Sequence, residues 1–354
     1  MEACSHQREV AMLGVILHAP KDLRIEPIEV VKPGPDQVRI RINAGGICGS
    51  DLHYYHHGGT GLIRLRQPMA LGHEIAGTIE EVGGGVSHLV PGMRVAVNPS
   101  GPCHRCEYCL QGAHNQCLDM QFMGSAMRMP HAQGGFRQNI TVSAAQAIPI
   151  ADSVTMAEAA VAEPLAVCLH AAKQAGSLMG KRVLVTGAGP IGSLAVLVAR
   201  YSGAKEIVAT DIGDFALQTA AALGASKTIN TATDPDALEP YKKGKGTFDV
   251  LFEASGNQAA LNGALPAIRA GGIIVQLGLG GDISIPINMI VTKELQLRGT
   301  FRFDEEFQLA VDLMGRKLID VKPLITNTLP FEEADAAFHL ASDKSRAMKV
   351  QLSF

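Results

Sequence analysis

Between Arg182 and Gly192 the chain reads Arg-Val-Leu-Val-Thr-Gly187-Ala-Gly189-Pro190-Ile191-Gly192, an apolar strand passing through three spaced glycines into an apolar helix. Such glycines alone are weak evidence; the order strand, glycines, helix gives them force. Gly187 permits the tight turn, Gly189 lets backbone approach a pyrophosphate, and Gly192 lets helix and strand pack closely. The helix N-terminus then offers free N–H groups and a partial positive charge to phosphates. A glycine-rich turn with no ligand is the competing reading. Alternation continues with strands Glu206–Thr210, Phe248–Phe252 and Ile273–Leu277 and helices Ile191–Tyr201, Asp214–Leu223 and Gln258–Ile268. That order predicts a doubly wound parallel sheet of right-handed βαβ units. Asp211 ends the second strand 19 residues after Gly192. A carboxylate there accepts both ribose hydroxyls and repels a 2′-phosphate. The next basic residue is Lys227, so NAD is expected over NADP.

The preceding ~160 residues carry a different pattern, at a chain length that suggests about two domains. Val38, Ile40 and Ile42 alternate with Arg39, Arg41 and Asn43, and Ile75–Val82 and Met93–Val97 look similar. Pro33-Gly34-Pro35 and Pro91-Gly92 punctuate them, as expected of a barrel-like β domain. Ala157–Ala175 has helical spacing interrupted by Pro164. The tail holds a helix, Glu305–Arg316, and a strand-like Lys349–Leu352 that is expected to return to the first domain.

Four of the seven cysteines, Cys103, Cys106, Cys109 and Cys117, fall within fifteen residues. Four thiolates so spaced close tetrahedrally around Zn²⁺ and leave no position for water, which marks a structural site. An iron–sulfur cluster is the other metal reading, and free thiols in a loop the bland one. An odd cysteine count suggests a reducing compartment. Met1–Val10 has no apolar core of a signal peptide, so a cytoplasmic location is expected. The net charge of -3 argues against a nucleic-acid grip, and no run of 18 apolar residues suggests a membrane span. A second set is dispersed: Cys48, His73, Glu74 and Glu163. Spacing alone leaves these as ordinary core residues.

Cys48-Gly-Ser50-Asp-Leu-His53-Tyr54, Gly72-His73-Glu74, the cysteine lobe, Glu163-Pro-Leu and the Gly187–Gly192 turn together resemble the zinc-containing medium-chain alcohol dehydrogenases. Five ordered motifs span nearly the whole chain. Glu163-Pro-Leu-Ala-Val and Phe301-Arg302-Phe303 point to the polyol (sorbitol dehydrogenase) branch. The Gly124-Ser-Ala-Met127, Pro130-His131 and Gly134-Gly-Phe136 segments resemble members acting on sugar acids. The resemblance implies a GroES-like catalytic domain split in sequence, 1–160 with 300–354, around a Rossmann domain at 161–299. It implies two zinc ions per chain, the catalytic one held by Cys48, His73 and a carboxylate from Glu74 or Glu163. Ser50 and His53 match a proton relay; Tyr54, Glu163, Arg302 and Phe303 match substrate contacts. Leu277, Gly278, Leu279 and Phe301 join Pro190 and Ile191 as expected cofactor contacts. Where the branch often has an arginine five residues after the ribose-binding aspartate, this chain has Ala216. The implied reaction is NAD-dependent oxidation of a sugar acid or polyol, with L-idonate oxidised at C5 to 5-keto-D-gluconate the leading expectation and sorbitol or xylitol the rival. Arg302 is the expected partner of a substrate carboxylate, with Arg128 and His131 behind it. A homo-oligomer is expected, tetramer before dimer. A non-enzymatic protein that kept the fold would show a damaged catalytic shell, whereas Cys48, Ser50, His53, His73 and Glu74 are all present.

Overall fold

The computed structural model describes residues 12–354; Cys4 and the stretch read as lacking a signal peptide lie outside the described residues. Six parallel strands form one sheet, in the spatial order Lys227–Asn230, Glu206–Asp211, Arg182–Thr186, Phe248–Glu253, Ile268–Gln276, Gln296–Gly299. Numbered along the chain this is 3-2-1-4-5-6, the doubly wound order, which reverses direction between the first and fourth strands. The expected elements are present with one correction: the helix expected over Gln258–Ile268 stops at Ala264, a 3-10 turn follows at Leu265–Ala267 where Pro266 cannot donate, and Ile268 already opens the strand. Lys227–Asn230 and Gln296–Gly299 are additional edge strands.

A second sheet of seven strands is centred on Gln37–Gly46. Val38, Ile40 and Ile42 are fully buried there, as the alternation requires. Glu74–Val82 pairs antiparallel along its length, and Lys349–Ser353 pairs with its last residues, Ala44–Gly46. The tail therefore returns to this seven-stranded sheet, in the N-terminal part of the chain, bringing Ile325–Pro330 as a further strand beside it.

The Ala-rich stretch is two helices, Met156–Ala159 and Ala162–Ala175. The break precedes Pro164, which sits in the first turn of the second helix, where a missing N–H costs nothing. Ala162–Ala175 packs against Pro190–Tyr201 and Glu306–Gly315, and one apolar core joins them to the parallel sheet. Ala44 and Ala76 of the seven-stranded sheet belong to that same core, which joins the two sheets. No helix among the described residues is long and apolar enough to cross a membrane.

Candidate active site

Strand Gln37–Gly46 ends against the start of Glu74–Val82, and a Cβ on Gly46 would lie 2.3 Å from Glu74 Oε2. A side chain at that position would displace the Glu74 carboxylate. Gly72 has φ +92° and a Cβ on it would strike the Phe136 ring at 2.2 Å, so the His73 backbone is reached through a turn glycine alone can make. Cys48 caps the helix Gly49–His57. One ligand atom from each of Cys48, His73 and Glu74 lies within 4.8 Å of the others, an arrangement suited to one small cation. Burial pushes the Cys48 thiol up to about 12, helped by Glu74; a bound cation reverses that preference and takes the thiolate.

Glu163 enters from the first turn of Ala162–Ala175 and is buried. Burial raises its carboxyl to about 8, with His73 opposing and Cys48 and Glu74 adding to the rise. It stands outside the three-residue group, so Glu74 is the carboxylate the geometry brings to Cys48 and His73. Glu74 is not free, however. Lys349 Nζ donates to its two oxygens at 2.7 and 2.8 Å and to Ile47 O at 3.2 Å, with both side chains buried. Asp51, also buried, accepts from Cys48 N at 3.0 Å and Gly72 N at 3.1 Å, tying the two ligand loops together. His73 Nδ1 has no hydrogen-bond partner and faces Asp51 at 3.8 Å, which leaves Nε2 for a metal. Sequence reasoning missed Asp51 and Lys349. Asp51 sits inside the quoted motif and was findable; Lys349 carried no local signal.

Ser50 lies beside the Cys48 sulfur at the protein surface, and His53 is exposed one turn on. Partial burial, His57 and Lys344 lower the His53 pKa, so its ring is a neutral base near pH 7. Tyr54 is buried and its hydroxyl accepts from Ala126 N at 2.9 Å. Arg302 has φ +54°, a left-handed conformation that costs a non-glycine residue about 1–2 kcal/mol. Its guanidinium lies 4.1 Å over the Phe122 ring and 4.8 Å over Phe301. Burial lowers its pKa to about 10, while Glu163 and Tyr54 pull the other way. Phe303, expected as a substrate contact, is instead a core side chain 5.6 Å from Phe307. Arg128 and His131 are also committed elsewhere. Arg128 pairs with Asp119. His131 Nε2 accepts from Arg66 N at 2.9 Å and its Nδ1 donates to Arg128 O at 2.7 Å.

Ligand atoms of Cys103, Cys106, Cys109 and Cys117 lie within 4.8 Å of one another, and the Cys106 and Cys117 sulfurs are 4.0 Å apart. Zinc–sulfur bonds of about 2.3 Å in a tetrahedron need sulfurs about 3.8 Å apart, so the lobe fits a closed site. Backbone N–H groups of Cys109 and Leu118 hold the Cys106 thiol down at about 6, favouring thiolate.

At the reversal of strand order a Cβ on Gly192 would collide with Gly187 O at 1.7 Å, whereas one on Gly189 would meet nothing within 4 Å. That is the close packing and the open approach a dinucleotide turn requires. Asp211 accepts from Ala188 N at 2.7 Å, Ile212 N at 2.7 Å and Gly213 N at 2.9 Å, which fixes it at the crevice edge. Pro190 and Ile191 are half-buried in the turn, Leu277 and Gly278 half-buried beyond the fifth strand, and Leu279 and Phe301 exposed. Glu253, missed in the sequence, gathers Ser255 N at 2.9 Å, Gly256 N at 3.1 Å and Gln276 Nε2 at 2.5 Å at the same crevice.

Two family models match: the alcohol dehydrogenase GroES-like domain over residues 34–152 and the zinc-binding dehydrogenase domain over 190–316. The chain is 43% identical to L-idonate 5-dehydrogenase (NAD(P)(+)) of Escherichia coli K12 over 89% of this chain and 91% of that protein. It is 38% identical to the sorbitol dehydrogenase of Gallus gallus over 96% of each. The crystal structure of the Escherichia coli L-idonate 5-dehydrogenase superposes with a TM-score of 0.92 at 40% identity, covering 98% of this chain and 99% of that one.

Proposed function

From the premise that the chain belongs to the zinc-binding alcohol dehydrogenases with a GroES-like domain, we propose that it oxidises L-idonate reversibly at C5 to 5-keto-D-gluconate, with NAD as hydride acceptor. The division of the chain into 1–160 with 300–354 and 161–299, two zinc ions per chain, and a cytoplasmic, reducing location that keeps the thiols available belong to the same proposal. The substrate assignment is carried by one observation. Arg302, half-buried beside Tyr54 and Glu163, has no carboxylate partner among the described residues. L-idonate carries a carboxylate at C1, away from the reacting C5, and a planar guanidinium suits its two oxygens.

When bound, zinc supplies Lewis-acid polarisation of the substrate hydroxyl, and the nicotinamide accepts the hydride. The chain's own residues do the rest. Cys48, His73 and Glu74 would hold the metal, with Glu163 as the alternative carboxylate, and Asp51 ties the Cys48 and Gly72 backbones that carry two of them. Ser50 takes the hydroxyl proton and passes it to His53, which is open to solvent. Arg302 and Tyr54 hold the substrate so that C5 faces the cofactor. Asp211 selects NAD by accepting the ribose hydroxyls. Oxidation of sorbitol or xylitol is the second reading, favoured by the identity to sorbitol dehydrogenases.

Initial rates with L-idonate, D-gluconate, sorbitol, xylitol and L-threonine, each with NAD and NADP, test this. L-idonate with NAD should give the highest kcat/KM, and elemental analysis should find two zinc ions per chain. A higher value for sorbitol or xylitol would transfer the assignment to a polyol. Loss of a charge-assisted bond costs about 1.5–3 kcal/mol and a neutral one about 0.5–1.5. Arg302→Gln should therefore lower preference for L-idonate over sorbitol by about tenfold or more.

A further inference from the structure

The loop Phe301–Asp304 is gripped on both sides of Arg302 by residues of the cysteine lobe. Upstream, Asn115 Nδ2 donates to Phe301 O at 3.0 Å. Downstream, the Asp304 carboxylate accepts from His114 N at 3.2 Å and lies 3.1 Å from His114 Nδ1. His114 and Asn115 occupy the turn His114–Gln116, between Cys109 and Cys117. A left-handed arginine persists only where its surroundings over-determine it, and here the two restraints fall one residue before it and two residues after it. The guanidinium above them is seated over Phe122, whose ring is 5.6 Å from that of His73.

We infer that His114 and Asn115 are positioning residues for substrate specificity: through them the four-cysteine lobe holds Arg302 where it can receive the substrate carboxylate. The lobe is thus part of the substrate site as well as a brace for the fold. Metal at Cys103–Cys117 fixes the turn, the turn fixes Phe301 and Asp304, and these fix the arginine between them. This inference rests on Arg302 as the carboxylate reader, and the test separates the two.

A double-mutant cycle on the holoenzyme joins Asn115→Leu, which removes the donor at similar size, with Arg302→Gln. Asn115→Leu should raise KM for L-idonate about tenfold, or about 1.4 kcal/mol, with kcat within about twofold and both zinc ions retained. In the Arg302→Gln background the same substitution should leave KM unchanged, because the residue it positions is gone. An equal effect of Asn115→Leu in both backgrounds overturns the clamp. If Arg302→Gln alone leaves L-idonate and sorbitol unchanged relative to each other, the carboxylate reading fails first. Should Asn115→Leu lose its lobe zinc, Asn115→Ser is measured in its place. Asn115→Gln, which keeps a donor, should recover part of the KM.

Discussion

In the proposed reaction a proton must cross from a buried cluster to water, and His53 is an exposed side chain one turn beyond Cys48. Its lowered pKa keeps the ring neutral, and so able to accept, below the ordinary 6.5 for histidine. His53→Gln should reduce turnover most from acid to neutral pH and least in alkali, where solvent base replaces the ring. A pH–rate profile superimposable on that of the unaltered enzyme would remove His53 from the path. Lys349 is the opposite kind of residue, a cation closed away from water. Removing one partner of a buried pair costs about 3–5 kcal/mol because the other charge is left uncompensated. Lys349→Met should therefore lower unfolding stability of the zinc-free protein by that order in urea titrations, with Glu74 intact. The grouping of Cys48, His73 and Glu74 was readable only through the family resemblance, since their spacing alone left them as ordinary core residues. Lys349 was not, because its role depends on a partner 275 residues away. The burial of Phe303 against Phe307 was not readable for a related reason: which residues of a loop turn inward is settled by packing.

Among the elements, helices Ala162–Ala175 and Glu306–Gly315 join the metal cluster to the Arg302 loop. His170 Nδ1 and Glu306 Oε1 meet at 3.1 Å between them, and Glu306 Oε2 accepts from Asp304 N at 2.8 Å. Burial alone would raise the Glu306 carboxyl, yet His170 and the backbone donors outweigh it and hold the group at about 2. A depressed carboxyl stabilises the fold above its unfolded value, about 4.3 for glutamate, and that contribution is lost as pH falls toward 2. Thermal unfolding of Glu306→Gln should thus fall below that of the unaltered protein at neutral pH and converge with it between about pH 4 and 2. A constant offset across that range would show that the bond carries no proton linkage. Strongly patterned elements were legible in the sequence: the glycine turn, the alternating Val38–Ile42 strand, the helix after Gly192. Lys227–Asn230, Gln296–Gly299 and Ile325–Pro330 were not, because edge strands expose polar residues and lose the alternation that marks burial.

For the whole molecule, Gln296–Gly299 leaves an open sheet edge, with Leu297 on it and Ile287 and Val291 nearby, all exposed. Such an edge offers unpaired backbone N–H and C=O groups to a second strand; if copies of the chain pair through it, Leu297→Lys should shift light-scattering mass toward the monomer. An unchanged mass would place the contact elsewhere. The return of the tail to the sheet around Gln37–Gly46 was expected because the four strands read in the strand–helix series already looked like a complete sheet; that sheet in fact takes two more edge strands, and the pairing of Lys349–Ser353 with Ala44–Gly46 is what draws the tail back. That return also sets an order of assembly. The lobe cysteines lie within fifteen residues of one another and can gather early. Glu74, by contrast, gains its counter-charge only when strand Lys349–Ser353 is laid beside Gly45 and Gly46. Contacts so distant in sequence form late. A chain refolding in zinc should therefore take up one equivalent quickly and the second only as activity returns, so that metal loading reports whether the polypeptide has closed on itself.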